Sequence, residues 1–270
     1  MNDLVFGKYI PIDSLIHRLD PRGKIVALLI MVSSIFISDS WYNFLFIAIL
    51  LSIEVLLAKL SIKFIISAFK PMIVMMIFLL IINVLTIKTG TIWLTLFSIE
   101  IYSDAIMNTL FVIVRLLLMI IITTSLTATT KPLDLTLGLE SLMKPLELLH
   151  FPTHEVAMMI SIALRFIPTI IEETMRIMNA QKSRGVDFEE GRLQEKINAI
   201  LSLIIPLFSV AFERAYELAD AMDARGYVPG EKRSRYHILK FCLRDYILII
   251  VCLLALGFSI YTRIYLWDIK

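Results

Sequence analysis

The sequence predicts an all-α, polytopic membrane protein with about five transmembrane helices and two long helices on the cytoplasmic side. Three observations predict this. The 270 residues are 58% hydrophobic and their mean hydropathy is +0.81, whereas a soluble domain is usually about 45–50% apolar. One core cannot enclose that excess, so it must face lipid or partner proteins. The apolar residues also fall in runs near the roughly 17–25 residues that a helix needs to cross a hydrocarbon core. Finally, 29 of the 50 charged residues are confined to the stretch from Lys131 to Lys240.

The elements follow in order. Ile25 to Ser38 is apolar, Asp39 breaks the run, and Trp41 to Ala58 resumes it with Glu54 as its one charge. This predicts two helices joined by a tight turn at Ser38-Asp39-Ser40, the first drawing residues from Pro21 onward. Trp41 and Tyr42 belong at the membrane interface, where amphipathic rings are favoured. Pro71 to Ile87 is a third span. Lys88 to Asp104, with Gly90, Glu100 and Asp104, is an outer connection. Ala105 to Thr130 is a fourth span, with Arg115 inside it, and Asp245 to Thr262 is the last. The domains are thus a membrane domain over 1–130, a cytoplasmic-side domain over 131–240 and a C-terminal span over 241–270.

Lysine and arginine placement sets the orientation. Lys8, Arg18, Arg22 and Lys24 precede the first span. Lys59, Lys63 and Lys70 lie between the second and third, Lys131 and Lys144 after the fourth, and Lys232 to Arg244 before the last. Lys88 alone marks the other side before Arg263 and Lys270. The chain is therefore read as a multi-pass cell-membrane protein with a cytoplasmic N-terminus and an extracellular C-terminus. The first 20 residues lack the apolar core of a signal peptide, so insertion relies on the first span.

The charged segment holds two further apolar runs, Val156 to Ile171 and Ile197 to Phe212. Hydropathy alone makes them spans, for seven in total. Each run is about 16 residues, below the usual spanning length. Each contains a proline, Pro168 or Pro206, which removes a backbone hydrogen bond and bends a helix. Each continues without a breaker into a charged stretch. The preferred reading is two long, kinked helices at the inner face; two true spans are the alternative.

These helices end alike. Ala180 to Val186 and Ala221 to Tyr227 share the frame Ala-x-x-small-Arg-Gly-apolar, offset by 41 residues. Glycine accounts for the stop, because a helix commonly ends in a left-handed residue. Arg184 and Arg225 could each simply cap a helix dipole. Two matched ends on matched helices favour a second role: paired plugs for two related partners or a symmetric dimer, with the planar guanidinium suited to carboxylates and carbonyls.

The remaining residues exclude more than they offer. There is no G-x-x-x-x-G-K-[ST] loop, so energy must come from a partner. Cys242 and Cys252 make no metal or disulfide pattern and read as small apolar residues. His150 and His154 are separated by Pro152, which argues against a shared metal face; His17 and His237 stand alone. No catalytic constellation stands out, and the net charge of +2 points to no nucleic-acid partner. Glu54 and Arg115 are charges inside spans, costly by default, and a pair between them is one way to satisfy both. The competing function is a stand-alone secondary transporter, whose inverted repeats would be expected in the spans; the repeat here falls in the charged segment.

The chain resembles the transmembrane T component (EcfT) of energy-coupling-factor transporters over nearly its whole length. The resemblance is carried by Gly7-Lys8-Tyr9-Ile10-Pro11 through Leu19-Asp20-Pro21-Arg22-Gly23-Lys24, by His154-Glu155 with Ser161 to Thr169, and by Pro206-Leu207-Phe208 with Glu213-Arg214-Ala215 and Glu217-Leu218-Ala219. The two tips resemble the family's paired Ala-Arg-Gly signatures: Ala224-Arg225-Gly226 is complete, while Ser183-Arg184-Gly185 replaces alanine by serine. The resemblance implies a non-catalytic coupling subunit of an ATP-driven importer. It would bind two related cytoplasmic ATPases through the coupling motifs Ser183-Arg184-Gly185 and Ala224-Arg225-Gly226, on helices kinked at Pro168 and Pro206. It would also hold a substrate-binding S component, with several such components served in turn, for uptake of vitamins or metal ions. No cofactor is expected on this chain; ATP and magnesium would sit on the ATPases.

Overall fold

The computed structural model describes residues 9–96, 99–145, 152–188, 192–228 and 241–267. Among these it contains nine α-helices and one small hairpin: α1 Pro21–Ile37, α2 Trp41–Ala58, α3 Ile62–Phe69, α4 Ile73–Thr86, β1 Ile92–Leu96, β2 Ile99–Tyr102, α5 Ser103–Thr129, α6 Pro132–Met143, α7 Thr153–Ser183, α8 Leu193–Ala224 and α9 Leu243–Trp267. The chain is an all-α polytopic membrane protein. His150, His237 and the basic group from Lys232 to Lys240 lie outside the described residues. The contacts divide the chain into two units, one formed by Met1–Leu139 with Leu239–Lys270 and one by Glu140–Ile238.

The first unit is a helical bundle around Ala27, Met31 and Ile35 of α1, Phe44, Ile47 and Leu51 of α2, Leu118 and Ile122 of α5, and Cys252 and Ala255 of α9. Cys252 thus sits in the core as a small apolar residue. Helix directions can be read from the contacts. Gly23 faces Asp245 and Ser34 bonds Ser259, so α1 and α9 run the same way. The Trp41 ring packs on Phe111 and Glu54 meets Ser125, so α2 and α5 are also parallel to each other. Lys24, near the start of α1, bonds Thr129 at the end of α5, which sets these two pairs antiparallel. The end of α5 and the start of α9 therefore share one end of the bundle.

That end is tied by buried charges, each placed at a helix terminus of opposite sign. Asp20 caps α1, its Oδ1 accepting the Arg22 N–H at 2.9 Å, and Pro21 fills the first helical position, where its missing donor costs nothing. The Asp20 N–H in turn donates to Asp245 Oδ1 at 2.8 Å. Asp245, in the first turn of α9, also accepts the Cys242 N–H through Oδ2 at 2.7 Å. Lys24 donates from Nζ to the Thr129 carbonyl and to Thr130 Oγ1, both at 3.0 Å. The two carboxylates thus meet positive helix ends and the ammonium meets the negative end of α5. Ahead of this knot, the Ile10 N–H reaches the Ala128 carbonyl at 3.0 Å, and His17 lies against Ser14 Oγ and the Ile10 carbonyl. Burial holds the His17 pKa below its ordinary value, and the Arg18 guanidinium does the same for the Asp13 carboxyl.

Two expectations are corrected here and one element is added. The third apolar stretch does not begin at Pro71. Helix starts at Ile62 and continues to Thr86, with a 3-10 turn at Lys70–Met72 that absorbs the proline, as a tighter turn can where one amide donor is missing. The added element lies in the connection after Thr86, where β1 and β2 pair antiparallel. Its β-branched and aromatic residues fit a strand surface; Gly90, at φ +95°, lies so close to Asp104 and Ser103 that a Cβ would meet them at 2.5–2.7 Å. The second correction concerns the intramembrane charges. Arg115 does not pair with Glu54: it donates to the Ser38 carbonyl at 2.9 Å and to Asp39 at 3.3 Å, while Glu54 accepts the Ser125 hydroxyl at 2.8 Å. Because α2 and α5 are parallel, Arg115 is level with Phe44, ten residues from Glu54, a rise of about 15 Å.

Six helical stretches of the described residues are long and apolar enough to cross a membrane: Trp41–Ala58, Ile62–Thr86, Ser103–Thr129, Thr153–Ser183, Leu193–Ala224 and Leu243–Tyr265. The two apolar runs judged too short to cross thus belong to helices of 31 and 32 residues, and the length argument against their crossing does not hold. α1, at 17 residues, rises only about 26 Å.

Asp245→Ala leaves the buried Asp20 N–H and the partly buried Cys242 N–H without this acceptor. It should destabilise the detergent-solubilised chain by about 3 kcal/mol in an unfolding titration, and Asp245→Asn by roughly half as much. A double-mutant cycle on Glu54→Gln and Arg115→Gln should return a coupling below about 0.5 kcal/mol, as expected for separated sites. A larger coupling would restore the pair.

Candidate functional site: two matched helix tips

The second unit is built on α7 and α8, which pack against each other. Their buried positions are small, Thr153 and Ala157 on α7 and Ala199 on α8, and small residues let helix backbones approach closely. At the start of α8 the Arg192 N–H donates to Glu195 Oε2 at 2.8 Å, which satisfies one N-terminal donor. Near the start of α7, His154 Nδ1 lies 3.0 Å from Glu140 Oε1, and among the described residues no metal cluster surrounds it. Both helices continue through their prolines, Pro168 and Pro206. Each proline denies a helical partner to the carbonyl four residues before it, those of Leu164 and Ser202.

Much of the apolar surface of this unit is open. Ile197, Ile205, Phe208 and Phe212 of α8 are exposed, as are Met159 and Met175 of α7. Met158, Met178 and Met222 are half-buried. An exposed apolar surface of this kind marks contact with lipid or a partner.

The two helices end in one geometry. On α7, the Gly185 N–H bonds the Lys182 carbonyl at 3.0 Å and the Val186 N–H reaches the Gln181 carbonyl at 3.1 Å. On α8, the Gly226 N–H bonds the Asp223 carbonyl at 2.9 Å and the Tyr227 N–H reaches the Met222 carbonyl at 3.0 Å. These are two Schellman motifs, pairing the same positions. Arg184 and Arg225 occupy the C-cap with φ of −87° and −93°, and the glycines follow at φ +87° and +68°. Nothing lies within 4 Å of a Cβ built on either glycine. The backbone conformation, not a lack of room, is what selects glycine at both sites.

Ser183, Arg184 and Gly185 are exposed, and so are Ala224, Arg225 and Gly226. Ser183 turns its hydroxyl back to the Asn179 carbonyl at 3.0 Å, which leaves its outward profile close to that of an alanine. Neither arginine side chain makes a hydrogen bond or ion pair with a described residue. Each guanidinium therefore stands in solvent with its five donors uncommitted. Sequence reasoning found these six residues through the repeat. It missed Asp245, Lys24 and Thr130, whose only local signal is a charge or hydroxyl at a helix end.

Comparison with known proteins agrees with this architecture. A family model described as "Cobalt transport protein" (CbiQ) matches residues 13–237, a stretch that includes both tips. The energy-coupling factor transporter transmembrane protein EcfT of Lactococcus lactis subsp. cremoris is 40% identical over 250 residues, covering 93% of this chain and 94% of its own length. The EcfT proteins of Bacillus subtilis and Listeria innocua are 40% and 38% identical, over 91% and 97% of this chain and 92% and 99% of their own lengths. The chain belongs to the EcfT family. As a member it is the transmembrane component of an energy-coupling factor transporter.

Because φ alone demands glycine, Gly185→Ala and Gly226→Ala should each cost about 1 kcal/mol in chemical unfolding of the detergent-solubilised chain. The matching asparagine variants should cost less, since asparagine tolerates the left-handed region. Equal stability of wild type and both alanine variants would show that the turns do not need it.

Proposed function

We propose that this chain transmits the ATP-driven closure of a cytoplasmic pair of related ABC ATPases to a substrate-binding membrane S component, for import of a vitamin or a metal ion. The observation that carries the reading is the pair of tips: two long helices ending in the same hydrogen-bond pattern, each presenting an unpaired arginine beside an open glycine. One such tip is accounted for as a helix stop. Two of them, 41 residues apart in sequence, suit two similar grooves on two similar subunits.

In this reading Ser183-Arg184-Gly185 docks on one ATPase and Ala224-Arg225-Gly226 on the other. The arginine forks supply anchorage through carboxylate or carbonyl acceptors. The packed helices α7 and α8 supply the stiffness that a lever needs, and the prolines Pro168 and Pro206 set its bend. Residues 1–130 and 241–270 are the membrane anchor and 131–240 the coupling domain, with α7 and α8 at the inner face. The N-terminus is cytoplasmic and the C-terminus extracellular. ATP and its magnesium are held by the ATPases. The exposed apolar and methionine-bearing surface of α7 and α8 suits S components that exchange on one subunit.

Copurification of the tagged chain from native membranes tests the assembly: two ATPase chains should accompany it. Emergence alone, with ATP-independent transport in liposomes, would replace the reading by a secondary transporter. Arg184→Glu and Arg225→Glu should each weaken ATPase assembly or uncouple hydrolysis from uptake while the chain still inserts, and the double variant should do both more strongly. Normal assembly and uptake in the double variant would reduce the arginines to helix caps.

A further inference from the structure

The first unit contains a cavity of about 410 Å³ between α1, α2, α5 and α9, within the range of small-ligand sites. Its polar lining is Lys24, Glu54, Thr129 and Arg244. All four sit within about one turn of the helix ends that meet at the Asp20–Asp245 knot: Lys24 is the fourth residue of α1, Glu54 is four before the end of α2, Thr129 closes α5 and Arg244 is the second of α9. The apolar lining extends deeper. Met31, Ile122 and Val251 each lie seven residues further into their helices, about 10 Å along the axis.

The cavity has a closed back and an open side. Ala27, Met31, Leu51 and Ile122 are buried, whereas Ile53 and Leu57 of α2 and Ile247 of α9 are 43–61% exposed. The opening therefore lies between α2 and α9, two helices apolar enough to cross a membrane, and faces the bilayer. Of its three charged lining residues, Lys24 is buried, Glu54 is half-buried and Arg244 is exposed. Glu54 already accepts the Ser125 hydroxyl. Lys24 commits two of its three donors, to Thr129 and Thr130. Arg244 makes no hydrogen bond or ion pair with a described residue.

We infer that this cavity is a binding site for an anionic phospholipid, with one acyl chain in the apolar pocket and the phosphodiester on Arg244. A polar end at the helix termini, an exposed arginine with no committed partner and an apolar body opening sideways into lipid match that one molecule. A zwitterionic lipid would set its own cationic group against that arginine. The site is independent of the coupling reading, since it involves no residue of α7 or α8.

Lipid analysis of the purified transporter complex tests the site. The complex is reconstituted in nanodiscs of phosphatidylglycerol and phosphatidylcholine, extracted into detergent, stripped of loose lipid and examined by native mass spectrometry. One phosphatidylglycerol should stay with this chain, in preference to phosphatidylcholine. Arg244→Ala, at an exposed position, should reduce retention roughly tenfold, the loss expected for one charge-assisted contact. Val251→Trp, which fills the pocket from its half-open wall, should abolish it, with a melting curve confirming that the variant folds. The inference is overturned by a wild type that retains no lipid, by equal retention of the two lipids, by retention unchanged in both variants, or by a partner segment found in the cavity in place of lipid.

Discussion

The Asp245 carboxylate fixes the arrangement on which the membrane bundle depends. It joins the residue before α1 to the residue before α9 through one buried and one partly buried backbone N–H group, and it is itself almost fully enclosed. A charge in such a place costs free energy unless every lone pair and helix end around it is arranged to receive it. Here the cost is offset locally. Asp20 and Asp245 lie at helix N-termini, and Lys24 lies at the C-terminus of α5, so each charge also faces a dipole end of opposite sign. The packing of α1 beside α9, the direction of α2 and α5, and the cavity between them all follow from ends that meet there.

Away from the knot the bundle is held by weaker polar contacts suited to a membrane interior. Ser34 donates to the Ala255 carbonyl and touches the Ser259 hydroxyl, and Asn43 donates to Thr262. In hydrocarbon such bonds satisfy groups that have no water to turn to. The second unit is organised on another principle. Its helices bury few residues and leave apolar surface and two arginine tips open, the profile of an element completed by other molecules.

Local features were readable in advance because local chemistry decides them. The turn at Ser38-Asp39-Ser40, the long helices across Pro168 and Pro206 and their glycine stops follow from apolar run length and from the left-handed preference at a helix end. The Glu54–Arg115 pair failed because the direction of α2 against α5 decides which levels face each other, and no local pattern carries direction. The hairpin after α4 was missed because Ile92–Tyr102 is as apolar as a span and its alternation is short. The start of the third span was misplaced because Pro71 reads as a helix beginning, yet a 3-10 turn carries the chain through it from Ile62.

The sequence by itself determined that this is a helical membrane protein whose charged segment ends two helices in one Arg-Gly frame. Composition, run length and a 41-residue repeat are properties of neighbouring residues, so they need no fold to be seen. Only the tertiary structure decided which buried charges meet. Asp20 and Asp245 are 225 positions apart, and Lys24 and Thr129 are 105 apart. Partners at that separation are chosen by helix packing and by the need to satisfy a charge inside the bundle, neither of which is written in any short stretch of the chain.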